Sequence, residues 1–443
     1  MKGKTYVGLA ITVVAMLVLG LGCASAPTPT AATTPGASQP ATGAAPTPAQ
    51  GPIKIGFIGN LSAASSISAK ASAQLAVEEM NKAGGILGRQ IELIVEDDKG
   101  EIPKCVEIYK KLVMVDKVVL VVIGEKVEMG VAGMETGAEL FREFPHIFIS
   151  TIGSGDVIWH HVRDNYEKYK FGFQTYYFTS SGYLTILGNE ILPSLYKDTM
   201  GIKKVALVYE DMEWTKPLRQ GLEGVSPRLA DVYKSKGLEV VYETTVSVDQ
   251  KVFTSVLEEI GRSGAEVIDN VVGYIDEAAF VKQWAQSGAR NIPLYFWGGL
   301  VGMPAAWSGT EGKVLGVMVG SSQAKVKITD KTIPFMETLQ AKYNVGPIFG
   351  SHTTYDSLYG FKAAVEAAGS FGKVEDIIHK METVEATATL GAIGWDPKCH
   401  FNLSHPKYVT PIIQWQKDGA MGVIWPAQYA NAEYASPASL RGG

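Results

Sequence analysis

His160 and His161 stand next to one another in the chain. Neighbouring side chains on a helix or a strand point apart, so the pair reads as solvated or capping residues rather than as two ligands of one metal. The cysteines Cys23, Cys105 and Cys399 share no spacing suited to zinc or to a thiol nucleophile. Cys105 and Cys399 either pair, as an oxidising compartment would allow, or remain two separate buried thiols. No glycine-rich phosphate loop, G-x-G-x-x-G, H-E-x-x-H or G-x-S-x-G is present. Adjacent acids such as Glu78-Glu79 and Glu258-Glu259 read as solvated helix faces. The expectation is a chain that catalyses nothing, holds no metal and requires no cofactor.

The amino terminus has a different character. Lys2 and Lys4 precede an uncharged apolar run from Tyr6 to Leu21, then Gly22-Cys23. This is the layout of a secretory signal, which puts a signal peptide at 1–22. The segment Leu19-Gly20-Leu21-Gly22-Cys23 resembles a bacterial lipobox, with the leucine one place early, and so makes Cys23 the lipidation site. The alternative is an uncleaved anchor helix, although the run is short against the ~20 residues that span a bilayer. Residues 23–52 are almost entirely Ala, Thr, Pro, Ser, Gly and Gln. Such a segment buries too little apolar surface to offset its ordering entropy, and it reads as a disordered, lipidated tether. Either reading of the leader places the remainder outside the cytoplasm, held to the membrane by the anchor alone.

From Pro52 the composition is globular, and the length suits two domains at roughly 100–200 residues each. The formal net charge is −5, and loss of Lys2 and Lys4 with the leader makes the mature chain more acidic. No basic tract stands out, so nucleic acid is not an expected partner. Short apolar strands are expected at Ile53–Ile58, Ile91–Val95, Val118–Ile123 and Ile147–Ile149, with helices at Ala69–Ala83 and Val106–Val115. A loop is expected from Gly59 to Ser68. The alternation resumes with strands at Lys204–Tyr209, Glu239–Thr244, Val267–Val272 and Leu294–Trp297. Between them fall helical segments at Leu218–Lys236, Phe253–Ser263 and Ala278–Ser287. Two such series predict an α/β protein with two parallel sheets and right-handed crossovers, binding ligands beyond the carboxyl ends of the strands.

The order of these pieces resembles the type I periplasmic binding proteins, in particular the Leu/Ile/Val-binding branch of ABC-transporter receptors. The likeness is carried by Ile53-Lys-Ile-Gly-Phe-Ile-Gly and by the stretch Leu75-Ala-Val-Glu-Glu-Met-Asn-Lys-Ala-Gly-Gly-Ile-Leu-Gly-Arg-Gln-Ile-Glu-Leu. Further matches are Lys204-Val-Ala-Leu-Val-Tyr, His352 to Ala368 and Ile413-Gln-Trp-Gln-Lys-Asp-Gly. The resemblance implies two Rossmann-like lobes joined by three crossovers, closing on a solute by hinge motion. It places lobe 1 at 53–171 with 319–409, lobe 2 at 172–318 with 410–426, and a tail at 427–443. It also implies a membrane-embedded ABC permease as partner and a monomeric receptor. A ligand-sensing receptor domain of the same fold is the alternative.

Carried over position by position, the resemblance implies a ligand-facing set. Glu128, or Glu125 if the alignment slips, falls where relatives present a hydroxyl to a ligand carboxylate. Ser150 and Thr151 fall at a strand end that touches the ligand head group. Tyr176, with Tyr183 second, falls in a pocket-lining crossover. Trp214, Tyr274 and Trp297 fall on the pocket wall. Each hydroxyl has local capping as its alternative role, and each ring has core packing. Gly298-Gly299-Leu300 stands where relatives hold an ammonium with an acid. A free α-amino-acid zwitterion is therefore not the expected solute; an apolar, aromatic or cationic one is.

Overall fold

A computed structural model describes residues 51–153, 156–175, 179–402 and 407–442. The leader, the tether, Cys23 and Tyr176 lie outside the described residues.

The first half opens with β1 (Ile53–Gly59), α1 (Ala64–Lys82), β2 (Ile91–Asp97), α2 (Ile102–Lys110) and β3 (Leu120–Ile123). It continues with α3 (Val127–Leu140), β4 (Ile147–Ser150) and β5 (Gly172–Gln174). These strands form one parallel sheet in the order β2-β1-β3-β4-β5, with Ile55 of β1 aligned between Leu93 and Leu120. β3 and β4 are buried along their whole length, as continuous apolar strands are when helices cover both sheet faces.

The second sheet contains β6 (Lys204–Glu210), β7 (Glu239–Val246), β8 (Val267–Val271), β9 (Leu294–Phe296) and β10 (Met318–Gly320). A small hairpin, β11 (Ala386–Thr387) with β12 (Ala392–Ile393), sits apart from it. β13 (Ile412–Trp415) and β14 (Met421–Trp425) then complete the order β14-β13-β10-β9-β8-β6-β7. The last two strands run antiparallel, β13 against β10 and β14 against β13. The chain thus passes between the sheets after β5, after β10 and before β13. β5 belongs to the first sheet and β10 to the second, so these crossings fall a few residues beyond positions 171 and 318.

Two local readings of the sequence are corrected. α1 begins at Ala64 rather than Ala69, because Ser66, Ser68 and Ser72 are buried and hydrogen bonded instead of solvated. Their small side chains let α1 lie close to the helix Phe349–Ala368, with Ser68 Oγ and Ser351 Oγ 2.5 Å apart. The expected helix across Leu218–Lys236 is two pieces, Lys216–Gln220 and Leu229–Ser235. Gly221 and Gly224, at φ 90° and 71°, and Pro227 break it. Of the two readings left open for Cys105 and Cys399, the structure shows separate thiols: both are free, and burial pushes each up to about 12.

Each lobe carries a buried polar centre. In the first lobe Asp356 accepts from Thr389 N (2.8 Å), Thr389 Oγ1 (2.7 Å) and Tyr408 Oη (2.6 Å). In the second, Asp269 on β8 accepts from the hydroxyls of Tyr183 (2.9 and 3.1 Å) and Tyr233. Burial lifts the Asp269 carboxyl to about 7, against the lowering effect of both tyrosines. No helix among the described residues is long and apolar enough to cross a membrane.

Candidate functional site

A cavity of about 200 Å³ opens between the two sheets. From the first lobe it is lined by Ser65 at the start of α1, Ile152 just past β4, and Ile348 and Gly350 at the start of the helix Phe349–Ala368. The second lobe contributes Gly273 past β8 and the segment Gly299–Met303 past β9. Gly320–Gln323, the crossing after β10, forms its floor. Nearly every wall residue follows the carboxyl end of a strand or opens a helix, where α/β folds place ligands because backbone groups are free there. The lining is mostly apolar, with the hydroxyls of Ser65, Ser321 and Ser322 and the amide of Gln323 as polar groups.

Three buried carboxylates stand directly behind this lining. Glu125, past β3, accepts from Asn60 N (2.9 Å) and from the hydroxyl of Ser66, the neighbour of Ser65. Glu210, at the end of β6, accepts from Gly273 N (2.9 Å), Tyr274 N (2.8 Å) and Trp214 Nε1 (2.6 Å). Glu277, at the start of the helix Glu277–Gln286, accepts from Val301 N (2.9 Å). Its Oε1 is buried without a hydrogen-bond partner. Burial, reinforced by the charges of Glu210 and Asp276, lifts the Glu277 carboxyl to about 8. At Gly299, where φ is 86°, a Cβ would stand 1.9 Å from Glu277 Oε1, so only glycine fits. Sequence reasoning passed over Glu277 because it lies on the preceding helix, and only folding brings it under the loop at Gly299.

The residues singled out from the sequence are distributed unevenly. Trp297 is 7% exposed; it stacks on Tyr183 (4.3 Å between centroids, 12° between planes) and meets Trp214 edge-on at 5.1 Å. Tyr183 itself is buried beneath Trp297 and bonded to Asp269. Tyr274 is 64% exposed at the cleft. Local burial lifts the pKa of its hydroxyl, and the charges of Glu210, Glu128 and Glu125 lift it further. Trp214 and the backbone of Tyr274 thus share Glu210, Trp297 packs on Trp214, and Glu128 of the first lobe lies within electrostatic reach of Tyr274. Glu128 is exposed in the first turn of α3, where a carboxylate suits the helix dipole. Ser150 and Thr151 are buried behind the wall rather than on it. Ser150 Oγ donates to Ile152 O (3.1 Å), and Thr151 Oγ1 meets Thr354 Oγ1 (2.7 Å). Their neighbour Ile152 reaches the cavity instead.

The crossing at the floor is held firmly. Ser321 N donates to Pro411 O (3.0 Å), and Ser321 Oγ to Gly302 O (2.9 Å). His352 Nε2 bonds Ser322 O (3.2 Å), and burial holds that imidazole down at about 3. The adjacent His160 and His161 do not converge. His161 bonds Val157 O (2.6 Å) and Glu135 (2.9 Å), and His160 packs edge-on against Trp159. Among the described residues no group of His, Cys, Asp and Glu is arranged to hold a metal ion.

Comparison with known proteins agrees with this architecture. The Leu/Ile/Val-binding protein homolog 8 of Brucella melitensis is 22% identical over 249 residues, 55% of this chain and 59% of that protein. The chain thus spans little more than half the length of that curated relative. Among solved structures, the branched-chain amino acid transporter substrate-binding protein LivJ of Streptococcus pneumoniae, in complex with isoleucine, superposes with a TM-score of 0.63. It is 21% identical, and the match covers 84% of this chain and 97% of that one. A solute-binding protein of an ABC transporter from R. palustris, in complex with benzoate, gives 0.64 at 18% identity, covering 87% and 98%. The model of the family described as Periplasmic binding protein matches residues 52–420, and the chain, with its two-sheet fold and the cleft between them, belongs to that family.

Proposed function

We propose that the protein is the extracytoplasmic substrate-binding component of an ABC importer, capturing a small solute between its lobes and delivering it unchanged to a membrane permease. The observation that carries this reading is the cavity itself, walled by both lobes and floored by the crossing Gly320–Gln323. Closure about such a crossing lets a solute gain contacts with both walls at once, and a ligand shifts an equilibrium only through contacts that differ between its states. The family match and the small solutes bound by LivJ and the R. palustris protein support it. A lipid on Cys23 would tether the monomer to the membrane.

The solute is neutral or cationic at the end nearest Gly273 and Tyr274, where the charges of Glu210, Glu128 and Glu125 act together. A carboxylate there would be repelled by all three. Leu300, exposed on the cavity wall, offers an ammonium nothing. Calorimetric titration with leucine, isoleucine, valine and benzoate tests the charge argument, and tight binding of any of them would refute it. Small-angle scattering on a solute identified by thermal-shift screening tests the receptor reading. Compaction at saturation is expected, and an unchanged profile would count against lobe closure.

A further inference from the structure

A second cavity, of about 720 Å³, adjoins the first on the side of the crossing and shares Met303, Gln323 and Ile348 with it. The shared residues make the two spaces one cleft with a small chamber beside the strand ends, here the inner, and a larger one beyond Met303 and Ile348, here the outer. The outer chamber is walled by both lobes: Ile67, Met336 and Val345 on one side, Pro304 and Met421 on the other. Ile67, Val345, Ile348, Met303 and Met421 are only half-buried, so apolar surface remains uncovered inside the cleft. Lys325, exposed, is the single charged residue of the lining. The inner chamber is about the size of a cavity that holds one benzene, whereas the outer has the volume of sites that take drug-sized ligands.

We infer that the solute is elongated, with a compact head in the inner chamber and an apolar arm that runs past Met303 and Ile348 into the outer one. This rests on the reading of the inner cavity as the solute site. Burying an arm against Ile67, Val345, Pro304 and Met421 removes apolar surface of solute and protein from water together, which favours binding in proportion to the area covered. Because the two walls belong to different lobes, the arm also favours the closed arrangement. Ala64 and Ala305, both exposed in the lining, leave the width that an arm needs.

The test is a homologous series from ethyl to octyl carrying trimethylammonium, hydroxyl or carboxylate heads, titrated by calorimetry into the full-length protein. In at least one series the affinity is expected to rise about three- to fourfold per methylene and to level off once the chamber is filled. Ala305→Phe, which narrows the outer chamber from an exposed position, should flatten the rise while leaving the shortest binding member unchanged. A second variant, Ala64→Phe, should do the same from the opposite lobe. Affinity independent of length, a rise untouched by both variants, or no binding by any member would each overturn the inference. Length-independent binding of the short members would leave the receptor reading standing. If no member binds, thermal-shift screening with compact polar solutes decides that reading separately.

Discussion

Replacing Glu277 by glutamine isolates the carboxyl beneath the cleft loop. In the folded protein this group ionises at about 8, against an ordinary 4.5. Between those values the folded chain holds a proton that the unfolded chain has released. The group's contribution to stability is therefore complete below about pH 4.5 and is lost as pH rises to about 8. At ~1.4 kcal/mol per unit of separation, the interval amounts to about 5 kcal/mol, part of it repulsion from Glu210 and Asp276. Glutamine cannot ionise, and its amide oxygen can still accept from Val301 N. The variant should match the wild type near pH 5 and exceed it by about 3–5 kcal/mol near pH 8.5. Urea unfolding of both proteins at several pH values measures this, because slopes from Asp269 and Asp356 are common to the two and cancel in the difference. A stability difference that stays constant from pH 5 to 8.5 would refute the argument, and Oε1 would then have a partner that neutralises it.

Trp297→Ala should cost about 3–5 kcal/mol of stability, since the ring is sandwiched between Tyr183 and Trp214; denaturant midpoints report it, and a loss under 1 kcal/mol would show the stack to be loose. Cys23→Ser should move the protein from the membrane to the soluble fraction of the producing cell. An unchanged distribution, or a mature N-terminus elsewhere without lipid mass, would exclude the anchor. Glu128→Ser, a change at an exposed position, should leave stability within about 0.5 kcal/mol and improve the binding of carboxylate-bearing solutes such as benzoate. Unaltered titrations would remove Glu128 from the specificity argument.

The inner strands among β1 to β4 and β6 to β9 are legible in the sequence because each is a short apolar run covered on both faces, and the edge strands β2 and β7 because their apolar residues still stand out between polar turns. β5 and β10 are not: three residues at a crossing carry no periodicity, and only pairing with a neighbour makes them strands. The start of α1 was hidden because a serine-rich segment looks solvated until Glu125 and the helix Phe349–Ala368 are seen to satisfy it. At the site, Trp214, Tyr274 and Trp297 were visible as ring types at strand ends, but the sequence left wall and core equally open. Glu277 was invisible, since its contact with Gly299 and Val301 exists only once a helix and the loop after the following strand are packed together. Ser150 and Thr151 stop one residue short of the side chain, Ile152, that reaches the cavity.

The crossings have a consequence for how the chain is made. The first sheet is finished by Gln174, yet the helix that covers α1, Phe349–Ala368, is synthesised much later. The second sheet has β10 as a bare edge until Ile412–Trp415 arrives to pair with it. Neither lobe can close its core until nearly the whole polypeptide has emerged, and contacts of such long sequence separation form slowly. A chain stopped between Gly320 and Phe349 would present both an uncovered helix face and an unpaired strand edge, the two features that most invite aggregation.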